Sequence, residues 1–115
     1  LAYALAVRKN APKDALPFAE QAYRLSNEAP VIGDTLGWIY HLLGNRDQAL
    51  PLIERAAAAL PRNGDILLHA AVLDAETGDP AKAGRELDAA IKLDPHAADT
   101  PEAKFVRDHM PASAQ

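Results

Sequence analysis

The chain has 115 residues, about the length of one domain. Its formal net charge is −4, and it contains no cysteine. Positive and negative side chains are interspersed, which argues against a nucleic-acid binder, since such a protein needs a basic stripe. The absence of cysteine excludes disulfides and thiolate metal sites. No apolar run approaches the ~20 residues that span a bilayer, so we expect no membrane insertion. Alanine-rich composition favours an all-α fold.

The first predicted elements are the end of one helix and a complete second helix. Residues 1–8 are almost entirely apolar, and a turn follows at residues 9–12. The sequence begins with Leu1 rather than Met, so we expect it to be a fragment or a processed product. The second helix is predicted over roughly 12–25. Its inner stripe has helical spacing and comprises Ala15, Phe18 or Ala19, Ala22 and Leu25.

Two helices over about 30–43 and 46–60, joined by a turn at Gly44-Asn45, are predicted next. Gly37 lies inside the first of them, where glycine costs ~0.5–1 kcal/mol relative to alanine. A close approach of the two helices is the simplest reason for it. Pro51 lies inside the second helix, and Pro17 stands 34 residues earlier. Because the apolar stripes continue past both prolines, we expect bent helices rather than helix ends.

The remaining predicted helices cover about 64–77, 80–94 and 101–109, and we expect a disordered tail over 111–115. Asn63 and Asp79 are the expected caps of the first two. Asp74 occupies the position that Tyr40 holds 34 residues earlier. An unpaired buried carboxylate is costly. We therefore expect Asp74 to pair with Lys104 or Arg107, or to be partly exposed.

A period of 34 residues relates the middle of the chain to its last third. The matched pairs are Gly44 with Gly78, Ala49 with Ala83, Ala56 with Ala90 and Pro61 with Pro95. A fixed period of this length is typical of a helix-turn-helix solenoid.

These residues, together with Leu36-Gly37 and Tyr40, closely resemble the tetratricopeptide repeat (TPR) family. The resemblance implies an all-α, right-handed α-solenoid of antiparallel helix pairs. It divides a single domain over 1–110 into units of about 1–29, 30–63 and 64–97, with a capping helix at 101–109. A narrower likeness is to bacterial repeat proteins of envelope and exopolysaccharide export.

The resemblance also implies a concave groove, lined by the first helix of each unit, in which a protein or peptide partner binds. The groove positions carried over to this sequence are Tyr3, Val7, Val31, Asp34, Trp38, His41, Leu42, Asp65, Leu68, Val72 and Glu76. One subfamily grips C-terminal carboxylates with Asn and Lys or Arg at positions that here hold Tyr3, Trp38 and Val72. That clamp is therefore absent.

The leading hypothesis is a non-catalytic scaffold or adaptor module that binds a peptide with apolar anchors and basic flanks. No histidine pair has ligand spacing and no catalytic order or phosphate loop is present, so we expect no metal, cofactor or active site. Two alternatives stay open: an accessory domain of a larger enzyme, and self-association through the N-terminal helix at Leu1–Val7. The compartment stays open between cytoplasm and bacterial periplasm.

Overall fold

A computed structural model describes residues 11–110, and all regular structure in that range is helical. The six α-helices are α1 Ala11–Leu25, α2 Pro30–Leu42, α3 Arg46–Ala59, α4 Gly64–Glu76, α5 Pro80–Leu93 and α6 Pro101–Asp108. A short 3-10 helix, Pro95–Asp99, precedes α6 and was not predicted from the sequence. The predicted all-α class built from helix pairs is confirmed. The predictions for residues 1–10 and 111–115 lie outside the described residues.

The chain divides into two compact units after Ala59. In the first unit α2 packs against both α1 and α3. The turn between α2 and α3 contains Gly44, whose φ of +83° is a left-handed conformation that glycine adopts without strain. Backbone hydrogen bonds from Gly44 and Asn45 to the end of α2 close this turn. The chain therefore reverses within three residues and forms a helical hairpin.

Small residues set the helix spacing in the first unit. A Cβ atom added to Gly37 would lie 2.7 Å from Cγ1 of Ile53 and 3.2 Å from the carbonyl oxygen of Ala49. The close approach predicted from Gly37 is therefore present between α2 and α3. At the other interface, a Cβ atom on Gly33 would lie 2.9 Å from the Tyr23 ring, so that ring packs directly on α2.

The inner face of α1 differs in part from the prediction. Ala15 and Ala19 are buried as expected, but the next buried residue is Tyr23, and Phe18 and Leu25 are exposed. Alanines at a spacing of four allow α2 to come close. Phe18 and Leu25 lie on the outside of the helix, whereas Tyr23 packs on α2. Pro17 and Pro51 lie inside α1 and α3, as predicted, and both helices continue past them.

The second unit contains a hairpin of α4 and α5, with α6 packed on both. The predicted caps are confirmed, since Asn63 accepts a hydrogen bond from the Ile66 amide and Asp79 accepts one from the Lys82 amide. Every residue of α4 from Ile66 to Ala75 is buried.

Asp74 is one of the buried residues of α4, and its ion-pair partner was predicted wrongly. Its Oδ2 atom lies 3.6 Å from Nζ of Lys82 on α5. Lys104 instead bonds Asp108, and Arg107 donates to the carbonyl oxygen of Ala98. A basic partner is present, as expected, but it comes from the adjacent helix of the hairpin rather than from α6.

Candidate functional site

An apolar strip runs along the outer side of α2. Val31, Thr35, Trp38 and Leu42 are spaced at i, i+4, i+7 and i+11, which places them on one side of a helix. Val31 is 54% exposed and Leu42 is 42% exposed, whereas Thr35 and Trp38 are half-buried. We call these four residues the α2 strip.

Some polar side chains on the α2 strip and beside it make contacts with other residues of α2. The Thr35 hydroxyl donates to the carbonyl oxygen of Val31 over 3.2 Å, so its methyl group adds to the apolar surface. The Trp38 and His41 rings lie side by side, with centroids 4.5 Å apart and planes at 31°. An aromatic ring with a polar tip beside exposed aliphatic side chains is the composition of many protein-binding surfaces.

The predicted groove residues of α2 do not share one environment. Val31 and Leu42 are exposed, Trp38 and His41 are half-buried, and Asp34 is buried. Asp34 lies on the inner side with Gly33 and Gly37, about one residue's rotation away from the strip. The structure therefore presents four of these five side chains at the surface.

The predicted groove residues of α4 lie in the second unit. Asp65 is exposed and Glu76 is half-buried, but Leu68 and Val72 are buried. Tyr3 and Val7 lie outside the described residues. The groove as a whole stays a prediction.

A cleft of about 420 Å³ between α1 and α2 was not predicted from the sequence. It is lined by Pro17, Glu20, Tyr23, Arg24, Leu36 and Tyr40. The Tyr40 hydroxyl donates to Oε2 of Glu20 over 2.8 Å. Burial of the phenol, together with this hydrogen bond and the nearby carboxylate, raises the pKa of Tyr40 to about 12. Glu20 and Tyr40 are 20 residues apart, so only the packing of two helices brings them together.

Arg55 of α3 contacts the end of α1 and the turn that follows it. Its Nη1 atom lies 3.0 Å from Oε1 of Glu28 and donates to the Tyr23 hydroxyl at 3.2 Å. Glu28 and its neighbour Asn27 both have positive φ, 62° and 57°. These contacts stabilise the α1–α2 turn and thereby the start of the α2 strip.

The comparison with protein families identifies this helical-hairpin architecture. A family model described as Tetratricopeptide repeat matches residues 40–104, which is more than half of the chain. The chain belongs to the tetratricopeptide repeat family. TPR repeats are generally protein-interaction modules and are typically non-catalytic. No match was found among curated proteins.

Residues 11–110 of this TPR chain lack two kinds of feature. Within that range no three His, Cys, Asp or Glu side chains are grouped so that they could hold a metal ion. None of the helices described there is both long enough and apolar enough to cross a bilayer.

Proposed function

We propose that this TPR chain is a non-catalytic protein-binding module that docks an apolar partner segment on the α2 strip. The observation that carries the proposal is the exposure of Val31 and Leu42 on either side of Trp38. Burying exposed aliphatic surface contributes roughly 25 cal/mol per Å². A docked segment would therefore gain most of its free energy from these three side chains.

The length of the strip defines the size of the partner segment. Val31 and Leu42 are eleven residues apart on α2, which corresponds to about 16 Å along the helix axis. That distance equals about three turns of a partner helix, or about five residues of an extended peptide. We infer a partner with two or three apolar anchors over such a segment.

The test uses peptides selected against the wild-type chain by display and then measured individually. Trp38 is the only tryptophan, so its fluorescence reports on the strip without a label. Leu42→Asp should weaken binding at least tenfold, because it places a charge where an apolar anchor docks. Leu93, which is 43% exposed on α5, provides the matched control, and Leu93→Asp should leave the affinity unchanged.

Trp38→Ala should also weaken binding while the helix content measured by circular dichroism is largely kept. Equal affinities of the wild type and the Leu42→Asp variant would remove the α2 strip as the docking surface. Loss of the fold in Trp38→Ala, with unchanged affinity per folded molecule, would make Trp38 a packing residue instead.

A further inference from the structure

The outer side of α1 carries a second apolar surface, separate from the α2 strip. Phe18 is 57% exposed and Leu25 is 79% exposed, although the adjacent face of the same helix is buried through alanines. The two side chains are seven residues apart, so they lie two turns apart on one side of the helix. Two such side chains become an argument for docking only together with the residues around them.

Two charged residues flank the same surface. Glu20 and Arg24 are exposed, opposite in charge and one helical turn apart. They form the edge of this surface next to the α1–α2 cleft, where Oε2 of Glu20 accepts the hydrogen bond of Tyr40. Gln21 is also exposed and lies between them and the apolar pair, because successive residues are rotated by about 100° around a helix. The outer side of α1 therefore has an apolar flank, a central glutamine and a charged flank.

The charged pair and the apolar pair have nearly the same midpoint along the axis of α1. Glu20 and Arg24 are placed symmetrically about residue 22, and Phe18 and Leu25 about the point between residues 21 and 22. A two-fold axis at that point would place Phe18 against Leu25 of a second copy, and Glu20 against Arg24 of that copy. Two-fold interfaces require this self-complementarity, since each residue pair occurs twice.

We propose that the outer side of α1 docks against the same surface of a second copy of this chain, with the two helices antiparallel. The charge arrangement selects this occupant, because a copy in the antiparallel orientation supplies the opposite charge at both ends. A copy in the parallel orientation would instead exchange the two flanks, so that Glu20 and Arg24 would face the apolar flank of the second copy.

The contact would be weak. One pair of four-turn helices buries less surface than the about 1,200 Å² at the lower end of stable interfaces. We expect a dissociation constant of roughly 10–1,000 μM, so that monomer dominates in dilute solution. Self-association is independent of partner binding at the α2 strip, and the failure of one leaves the other unaffected.

Site-directed disulfide formation tests this arrangement. At an interaxial distance of about 10 Å, the Cα atoms of two facing residues are about 5 Å apart, which is within disulfide range. The chain has no cysteine, so Gln21→Cys introduces a single thiol at the centre of the contact. Oxidised glutathione would convert two such thiols to one disulfide and be reduced to two molecules of glutathione.

Asp14→Cys provides the matched control. Asp14 is exposed on the same side of α1, two turns before Gln21. In the antiparallel pair the two copies of residue 14 would be about 23 Å apart along the axis, whereas in a parallel pair they would meet. Gln21→Cys should therefore form dimers at least tenfold faster than Asp14→Cys.

Adding Arg24→Glu to Gln21→Cys should slow cross-linking several-fold, because it places like charges opposite each other twice. Equal cross-linking rates at positions 14 and 21 would overturn the antiparallel pairing. So would sedimentation equilibrium showing a wild-type monomer up to millimolar concentration. Circular dichroism of each variant shows whether the fold is kept, and the exposed positions of residues 14, 21 and 24 favour that result.

Discussion

The hydroxyl group of Tyr40 donates a hydrogen bond to Oε2 of Glu20 over 2.8 Å and joins α2 to α1. Tyr40 is buried, so removal of its proton would place a second negative charge beside Glu20 in a poorly solvated position. Burial is the larger cause of the raised pKa, and the hydrogen bond and charge of Glu20 add to it. The contact therefore favours the folded state only while the phenol keeps its proton.

Tyr40→Phe should lower the free energy of unfolding by about 1–2 kcal/mol at neutral pH. This is toward the lower end of the ~1.5–3 kcal/mol of a hydrogen bond to a charged group, because Glu20 is exposed. The pKa of Tyr40 is about 12 in the folded chain and 10 in a free phenol. The stabilising effect is therefore complete below pH 10 and is lost as the pH rises through 12. Urea unfolding of both proteins at pH 8 and pH 11.5 measures this change. A gap that stays constant between these pH values would contradict the assignment.

Gly37→Ala should destabilise the first unit by about 1–3 kcal/mol, in spite of the better helix propensity of alanine. The added methyl group would collide with Ile53 and with the backbone of Ala49. Gly64 is the control, because an added Cβ atom there meets nothing within 4 Å. Gly64→Ala should therefore be neutral or slightly stabilising. Similar thermal shifts for the two variants would show that α2 and α3 are not in close contact.

Lys82→Met should lower the stability by about 1–3 kcal/mol, because it leaves the buried Asp74 carboxylate without its cation. Lys104→Met removes an exposed i, i+4 pair with Asp108 and should cost at most about 0.5 kcal/mol. Denaturant unfolding of the two variants distinguishes these cases. Adding Asp74→Asn to Lys82→Met should recover part of the loss, and no recovery would argue against the ion pair.

Asn27→Gly should stabilise the chain by up to about 1 kcal/mol, since Asn27 has a φ of 57° and glycine adopts this conformation without steric cost. Asn45 also follows a helix but is not among the residues with positive φ. Asn45→Gly should therefore lower the stability by a few tenths of a kcal/mol. Melting temperatures that move in the same direction for both variants would contradict this explanation.

The sequence was sufficient to predict the helices and their turns because these depend on local signals. Asn63, Asp79 and the glycines at 44 and 78 lie at helix ends, where capping and left-handed backbone conformations restrict the choice of residue. The close helix approach at Gly37 was also predicted correctly. A glycine in a helix interior has few explanations other than close packing.

Exposure and pairing depend on tertiary contacts and were harder to predict. Phe18 and Leu25 have the spacing of an inner stripe, yet the alanines of α1 are the residues that pack. Leu68 and Val72 are buried, as is every residue of α4 from Ile66 to Ala75. Lys82 was overlooked as the partner of Asp74 because a sequence pattern does not give the distance between side chains on adjacent helices. The α1–α2 cleft was missed for the same reason.

The ten consecutive buried residues of α4, Ile66 to Ala75, have a consequence for hydrogen–deuterium exchange. Amides in frayed helix ends exchange through small local openings, but those in a helix of consecutive buried residues exchange only when a whole cooperative unit opens. The α4 amides would then be the slowest of residues 60–110 to take up deuterium, and their exchange rates would report the global stability of the second unit.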